Sequence, residues 1–291
     1  MPAPPCELNN PPMNRREFAR KALTASALLP ASALAANHTA SAVQTSPHQN
    51  DPGATDLTSN HSDLQVPAPS THPGDPQPGF VPLFNGRTLD GFVDMNTSEE
   101  TWRVEDGILI CSGWPIGVMR TERMYENFIL DVEWRFMEEG GNSGFFIWAD
   151  GVPHGDQPFP VGVEIQILDP AWAEIHNRPV EFVHGHLFPV MGLQGTIADN
   201  PSVDVPGRSY ALEKRMNRMG NWNRYILVCV DGTIKLSVNG RFVNGMRSTK
   251  RKKGYICPEA EGAEIHFRRI DIMELPSGVI TPDQIALEAP L

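Results

Sequence analysis

From Phe80 onward the chain alternates: short runs carry an apolar residue at every second position and stop at Gly, Asn, Asp or Pro. A period of two belongs to a β-strand with one face in a core and the other toward water. In Phe128 to Met137, Phe128, Leu130, Val132, Trp134 and Phe136 share one face, and Asp131, Glu133 and Arg135 share the other. In Val161 to Leu168, Val161, Val163, Ile165 and Ile167 point inward and Glu164 and Gln166 outward. Arg224 to Val230 and Thr233 to Val238 flank Asp231-Gly232, a strong hairpin signal, and Asn239-Gly240 marks the next turn. Ala263 to Leu275 is a further strand-like run. No long helical period interrupts the series. A helical turn or two is expected near the end, at Thr281 to Leu287, where Thr281, Pro282 and Gln284 fit a cap, a first-turn proline and a capping box, and a short turn through Trp172 and Ile175 is the other reading of Asp169. Many short strands without helices between them predict an all-β fold, a sandwich or a barrel.

The strand-like region is one expected domain, residues 80–275, followed by a tail over 276–291. What precedes it differs in kind. Met13 opens MNRREFARKALTASALLPASALAA, in which Arg15 and Arg16 precede an apolar stretch and small residues at Ala33 and Ala35. That is the layout of an export signal, and RREF resembles a twin-arginine signal, so residues 1–36 read as a leader with a true start at Met13. The apolar stretch is too short and Ala-rich to serve as a membrane span. Residues 37–79 are rich in Pro, Ser, Thr, His and Asp, bury little and read as a disordered linker. The expected location is therefore periplasmic or extracellular, with no transmembrane anchor.

Charge and cysteines narrow the function classes. Acidic residues outnumber basic ones 35 to 24, which argues against a nucleic-acid partner. The short basic run Lys250 to Lys253 reads as a solvated loop. Cys111, Cys229 and Cys257 lie in the domain without a CxxC pair, so neither a disulfide scaffold nor a zinc knuckle is expected. Oligomeric state is left open.

Six segments recur in an ordered pattern: FVPLFNGRTLDGF (Phe80 to Phe92), Trp102 with Asp106-Gly107, GNSGFFI (Gly141 to Ile147), GVEIQILD (Gly162 to Asp169), NWNRYILVCVDGTIKLSVNG (Asn221 to Gly240) and HFRRIDIMEL (His266 to Leu275). Together they resemble the 3-keto-disaccharide hydrolase domain family. The resemblance implies a concanavalin-like jelly-roll β-sandwich of two antiparallel sheets and substrates that are glycosides oxidised to a ketone at C3. Trp148, Asn221, the HGHLF stretch from His184 and Arg269 depart from the family pattern.

Glu164 and Gln166 share a strand face roughly 7 Å apart. A retaining glycosidase wants two carboxylates about 5 Å apart, and Gln166 cannot act as a nucleophile. A 3-keto sugar offers another route, because its ketone acidifies the C2 proton and one base can then expel the C1 substituent. Glu164 is the candidate base or metal ligand, against the plainer reading of a salt-bridged strand residue. His184 and His186 are candidate acids or ligands of a divalent metal, although no ligand motif supports a metal. Asn142, Ser143, Gln166, Arg135, Trp148 and Asp169 are candidate substrate contacts. Asn142 and Ser143 also suit a turn, Asp169 also suits a cap, and Trp148 also suits a core. A sugar or oligosaccharide is the expected partner. An enzyme cleaving 3-keto-glycosides and a non-catalytic carbohydrate-binding domain both fit this sandwich.

Overall fold

The computed structural model describes residues 77–177, 184–190, 193, 196–197, 209–247 and 249–289. The expected leader and nearly all of the expected linker lie outside the described residues.

Among the described residues the strands run β1 (Val81–Pro82), β2 (Phe92–Asp94), β3 (Trp102–Glu105), β4 (Ile108–Cys111), β5 (Gly117–Thr121), β6 (Phe128–Phe136), β7 (Asn142–Ala149) and β8 (Gly162–Leu168). After a single helical turn, α1 (Trp172–Ile175), come β9 (Leu187–Val190), β10 (Thr196–Ile197), β11 (Asn223–Val230), β12 (Thr233–Val238), β13 (Arg241–Arg247), β14 (Tyr255–Ala260) and β15 (Ile265–Glu274). They form two sheets. The larger has the order β10-β13-β12-β11-β6-β15-β4-β3, with β1 added on β15, and the smaller has the order β2-β5-β14-β7-β8-β9. Every pairing between these strands is antiparallel.

Alternation makes the core. Phe128, Leu130, Val132, Trp134 and Phe136 of β6 are buried with Val163, Ile165 and Ile167 of β8 in one apolar cluster. Phe145 of the smaller sheet meets Phe267 of the larger edge to face, with ring centres 5.5 Å apart, the packing aromatic quadrupoles favour. Tyr225 of β11 reaches across the core, and its hydroxyl donates to the Gln166 carbonyl at 2.9 Å. That bond satisfies a buried hydroxyl and ties β8 to the opposite sheet.

Both expected turns have the required backbone. Asp231 and Gly232 lie at φ 48° and 75°, and Asn239 and Gly240 at 48° and 82°. Two successive left-handed residues match the right-handed twist of the strands they join. Pro282–Gln284 forms a 3₁₀ turn closed by the Thr281 and Gln284 capping box. The residues after it are held on the smaller sheet's side: the Ala286 amide donates to the Lys253 carbonyl, and the Gly151 amide to the Leu287 carbonyl, both at 2.8 Å.

Two expectations change. The basic run is not simply solvated, because Arg251 pairs with buried Asp150, and Lys252 with Asp231 at 2.7 Å. Trp148 does not face a groove. Between Phe146 and Ala149 the strand has one residue more than its partner between Cys257 and Tyr255. The extra residue is a β-bulge, which resets the alternation. Trp148 takes φ 49° there, is fully buried, and donates its indole N–H to the Glu126 carbonyl at 2.8 Å.

Candidate functional site

The outer face of the smaller sheet is built by β14, β7 and β8 side by side. On β8, the core side is taken by Val163, Ile165 and Ile167, which leaves Glu164 and Gln166 on the outer side. Phe146 pairs with Glu164 and Gly144 with Gln166. On β14, Ile256 and Ala260 join the core, so Glu259 stands on the outer side with Glu164.

Gly144 lies between the two carboxylates. A Cβ at that position would collide with Glu259 Oε2 and stand 3.3 Å from Glu164 Cγ. The missing side chain in the GNSG segment therefore lets two glutamates on non-adjacent strands converge over the strand between them. Glu261 follows just past the end of β14. Carboxylate oxygens of Glu164, Glu259 and Glu261 all lie within 4.8 Å of one another.

Glu259 is the unusual member. It is 1% exposed, and its Oε2 has no hydrogen-bond partner. Burial, then the charges of Glu261 and Glu164, push its carboxyl well above the usual range, and a hydrogen bond with Glu261 adds to the shift. Each of these causes disfavours an uncompensated third negative charge. Oxygen ligands of this kind suit a hard divalent cation.

Beside the carboxylates is a fixed amide pair. Gln166 Nε2 donates to Asn142 Oδ1 at 2.8 Å and to the Ser143 carbonyl at 3.1 Å. Leu187 of β9 enters the core, and alternation turns His186 and Phe188 to the Glu164 side. The His186 ring lies 4.9 Å from Tyr210, edge on, and the His186 carbonyl accepts the Gln166 amide at 3.0 Å. Phe146 stacks on Phe159 with ring centres 5.6 Å apart, which adds an apolar wall beside Glu164.

The structure thus brings Glu164, Gln166, Asn142 and His186 together. It sends the other expected site residues elsewhere. Ser143 has the core-side parity of Phe145, is fully buried, and donates its hydroxyl to the Glu259 carbonyl at 2.9 Å, joining β7 to β14. Asp169 Oδ1 accepts from Gly140 N at 3.1 Å and Ala171 N at 2.9 Å, which organises the turn after β8. Arg135 is on the outer face of the larger sheet, its guanidinium 4.5 Å over the Trp222 ring. His184 is buried, and its Nε2 accepts from the backbone amides of Arg215 and Met216 at 2.9 and 3.0 Å. Burial, and secondarily the Lys214 charge, lower its pKa from 6.5 to about 4, so the ring is a neutral loop clamp and no proton donor near neutrality.

Glu259 and Glu261 were missed from sequence. The available signal was a carboxylate inside the run YICPEA, at a position where alternation with Ile256 and Ala260 should have been read.

A family model for the 3-keto-alpha-glucoside-1,2-lyase-like domain matches residues 79–273. The chain belongs to this family. Its fold has solved counterparts. A Parabacteroides distasonis protein described as a "putative glycosyl hydrolase" superposes with a TM-score of 0.52 and 23% identity, covering 68% of this chain and 95% of that one. A second solved structure of that organism and description gives 0.49 and 23%, covering 67% and 99%. The Bacillus licheniformis β-glucanase gives 0.40 and 10%, covering 67% and 97%. No curated protein matches the chain. The domain is a concanavalin-like jelly-roll sandwich of the carbohydrate-related kind. No helix among the described residues is long and apolar enough to cross a membrane.

Proposed function

We propose that the protein is an exported enzyme that cleaves 3-keto-glycosides, with Glu164 as the base. The observation that carries this reading is the position of Glu164: on the outer face of β8, beside the Gln166 and Asn142 amide pair, within 4.8 Å of two further carboxyl groups. The family name supports the substrate class.

In this reading Glu164 takes the C2 proton of the sugar. The C2–H electron pair passes into an enolate with the C3 ketone, then forms a C1=C2 double bond as the C1–O bond breaks. The departing oxygen takes up a proton, for which His186 is the proposed donor. Release of the unsaturated keto sugar completes an elimination. Addition of water across C1=C2 converts the outcome to hydrolysis. With the Gln166 NH2 group spent on Asn142 and Ser143, Gln166 Oε1 is the proposed acceptor from a sugar hydroxyl and Asn142 Nδ2 the proposed donor to a sugar oxygen.

Glu164→Gln keeps the shape and removes the base. Turnover of a 3-keto-disaccharide should fall on the order of 10²–10⁴-fold, the usual worth of a positioned general base. Folding should be little affected, since Gln keeps the size of a partly exposed side chain on the outer face. Sugar binding, followed by calorimetry, should persist. Near-normal turnover in the variant removes Glu164 from the mechanism. A wild type that binds sugars and cleaves neither 3-keto nor unoxidised disaccharides is a binding module.

A further inference from the structure

We infer that Glu164, Glu259 and Glu261 form a binding site for one hard divalent cation, calcium before magnesium. Their oxygens all lie within 4.8 Å of one another. Opposite ligands of a single calcium stand about 4.6–5.2 Å apart, twice its usual bond length of about 2.3–2.6 Å. Each residue needs to offer one oxygen only.

The cluster alone would carry nothing, since acidic residues often gather on surfaces. Glu259 makes the difference. Its carboxylate is 1% exposed, and Oε2 has no hydrogen-bond partner there. A buried acceptor left unmatched is costly. The charged neighbours that act on Glu259 are Glu261 and Glu164, both acidic. The side chain is also aimed: Oε2 and Glu164 Cγ flank the same point above Gly144, where any Cβ would fill the space. An oxygen-seeking cation at this point answers the burial of Glu259 and its unmatched Oε2 together. Three carboxylates leave the remaining coordination positions of a six- to eight-coordinate ion to water or to neighbouring sugar oxygens.

The inference stands on the carboxylates and does not depend on the cleavage reaction. Its test is run without sugar. The full exported chain is stripped with a chelator and titrated with CaCl₂, MnCl₂ and MgCl₂ by calorimetry, with melting followed in parallel. About one equivalent of calcium should bind and raise the melting temperature. Glu261→Gln should weaken that binding at least tenfold, and Glu259→Gln should abolish it. Should Glu259→Gln fail to fold, the partly exposed Glu261 still decides the matter. No heat and no melting shift with any of the three cations would overturn the site, as would equal binding in wild type and Glu261→Gln. A Glu259→Gln protein that melts higher than wild type, with no cation effect in either, would show that the pair shares a proton instead. A chain that binds calcium yet leaves 3-keto-glycosides intact keeps the site and loses the enzymatic proposal.

Discussion

Acid should destabilise this domain through His184, and the size of the effect follows from one side chain. Its Nε2 can accept from the amides of Arg215 and Met216 only while the ring is neutral, with the proton on Nδ1. Protonation would turn that acceptor into a donor facing two donors, inside the protein. Burial, and secondarily the Lys214 charge, lower the folded ring to about 4, against 6.5 when unfolded. Since the folded pKa is the lower one, the unfolded chain binds more protons between these values. The contribution to stability is complete above pH 6.5 and is lost as pH falls toward 4. The difference, 6.5 minus 4, corresponds to about 3 kcal/mol in all, with about 2 kcal/mol gone by pH 5. His184→Gln keeps an acceptor within reach of the same amides but cannot titrate. Urea unfolding of both proteins from pH 7.5 to 4.5 isolates the effect, because other groups cancel in the comparison. Wild type should lose stability relative to the variant across this window. Parallel curves would refute the assigned tautomer and the burial argument with it.

Two other outcomes are expected. Asp131 is fully buried and holds Arg224 through two bonds of 2.8 and 2.7 Å, with Arg269 at 3.4 Å, so Asp131→Asn removes the counter-charge bonded to Arg224, while Arg269 keeps Asp271 at 3.6 Å. Because Arg224 is partly exposed, the loss should be about 2–4 kcal/mol, read as a lower urea midpoint; a change below about 0.5 kcal/mol would show that water already screens the pair. The leader is proposed to be a twin-arginine signal, and changing Arg15 and Arg16 to Lys should hold the precursor in the cytoplasm; export of the variant at the normal level, seen by fractionation, would reject that route.

Arg269 shows how a departure from the family pattern can be structural. It is 6% exposed and stands beside Asp131 and Asp271 on the larger sheet, so the substitution answers local acidity and does not touch the Glu164 face. The cysteines behave likewise. Cys111, Cys229 and Cys257 are free and buried, and burial pushes the Cys111 thiol up to about 12.

Local pattern determined the elements. The two-residue period of β6 and β8, Asp231-Gly232, Asn239-Gly240 and the capping box at Thr281 are short-range facts, and each has the structure its residues require. The same period placed Glu164 and Gln166 on the solvent side, because one face of a buried strand must be apolar. It failed where the period itself broke. The bulge between Phe146 and Ala149 turned Trp148 into the core, and no signal in the run GFFIWA gives the strand length of its partner. Asp169 took its capping reading, while Ser143 and His184 went to backbone partners for a related reason: a polar side chain shows its chemistry in sequence, but not which backbone groups will occupy it. The acidic centre was beyond reach on that footing. Glu164 and Glu259 are distant in the chain and meet because β14 and β8 both pair with β7, with a glycine at the crossing. Strand neighbours are chosen by the global burial of apolar faces, so only the tertiary structure could decide that three carboxylates share one point.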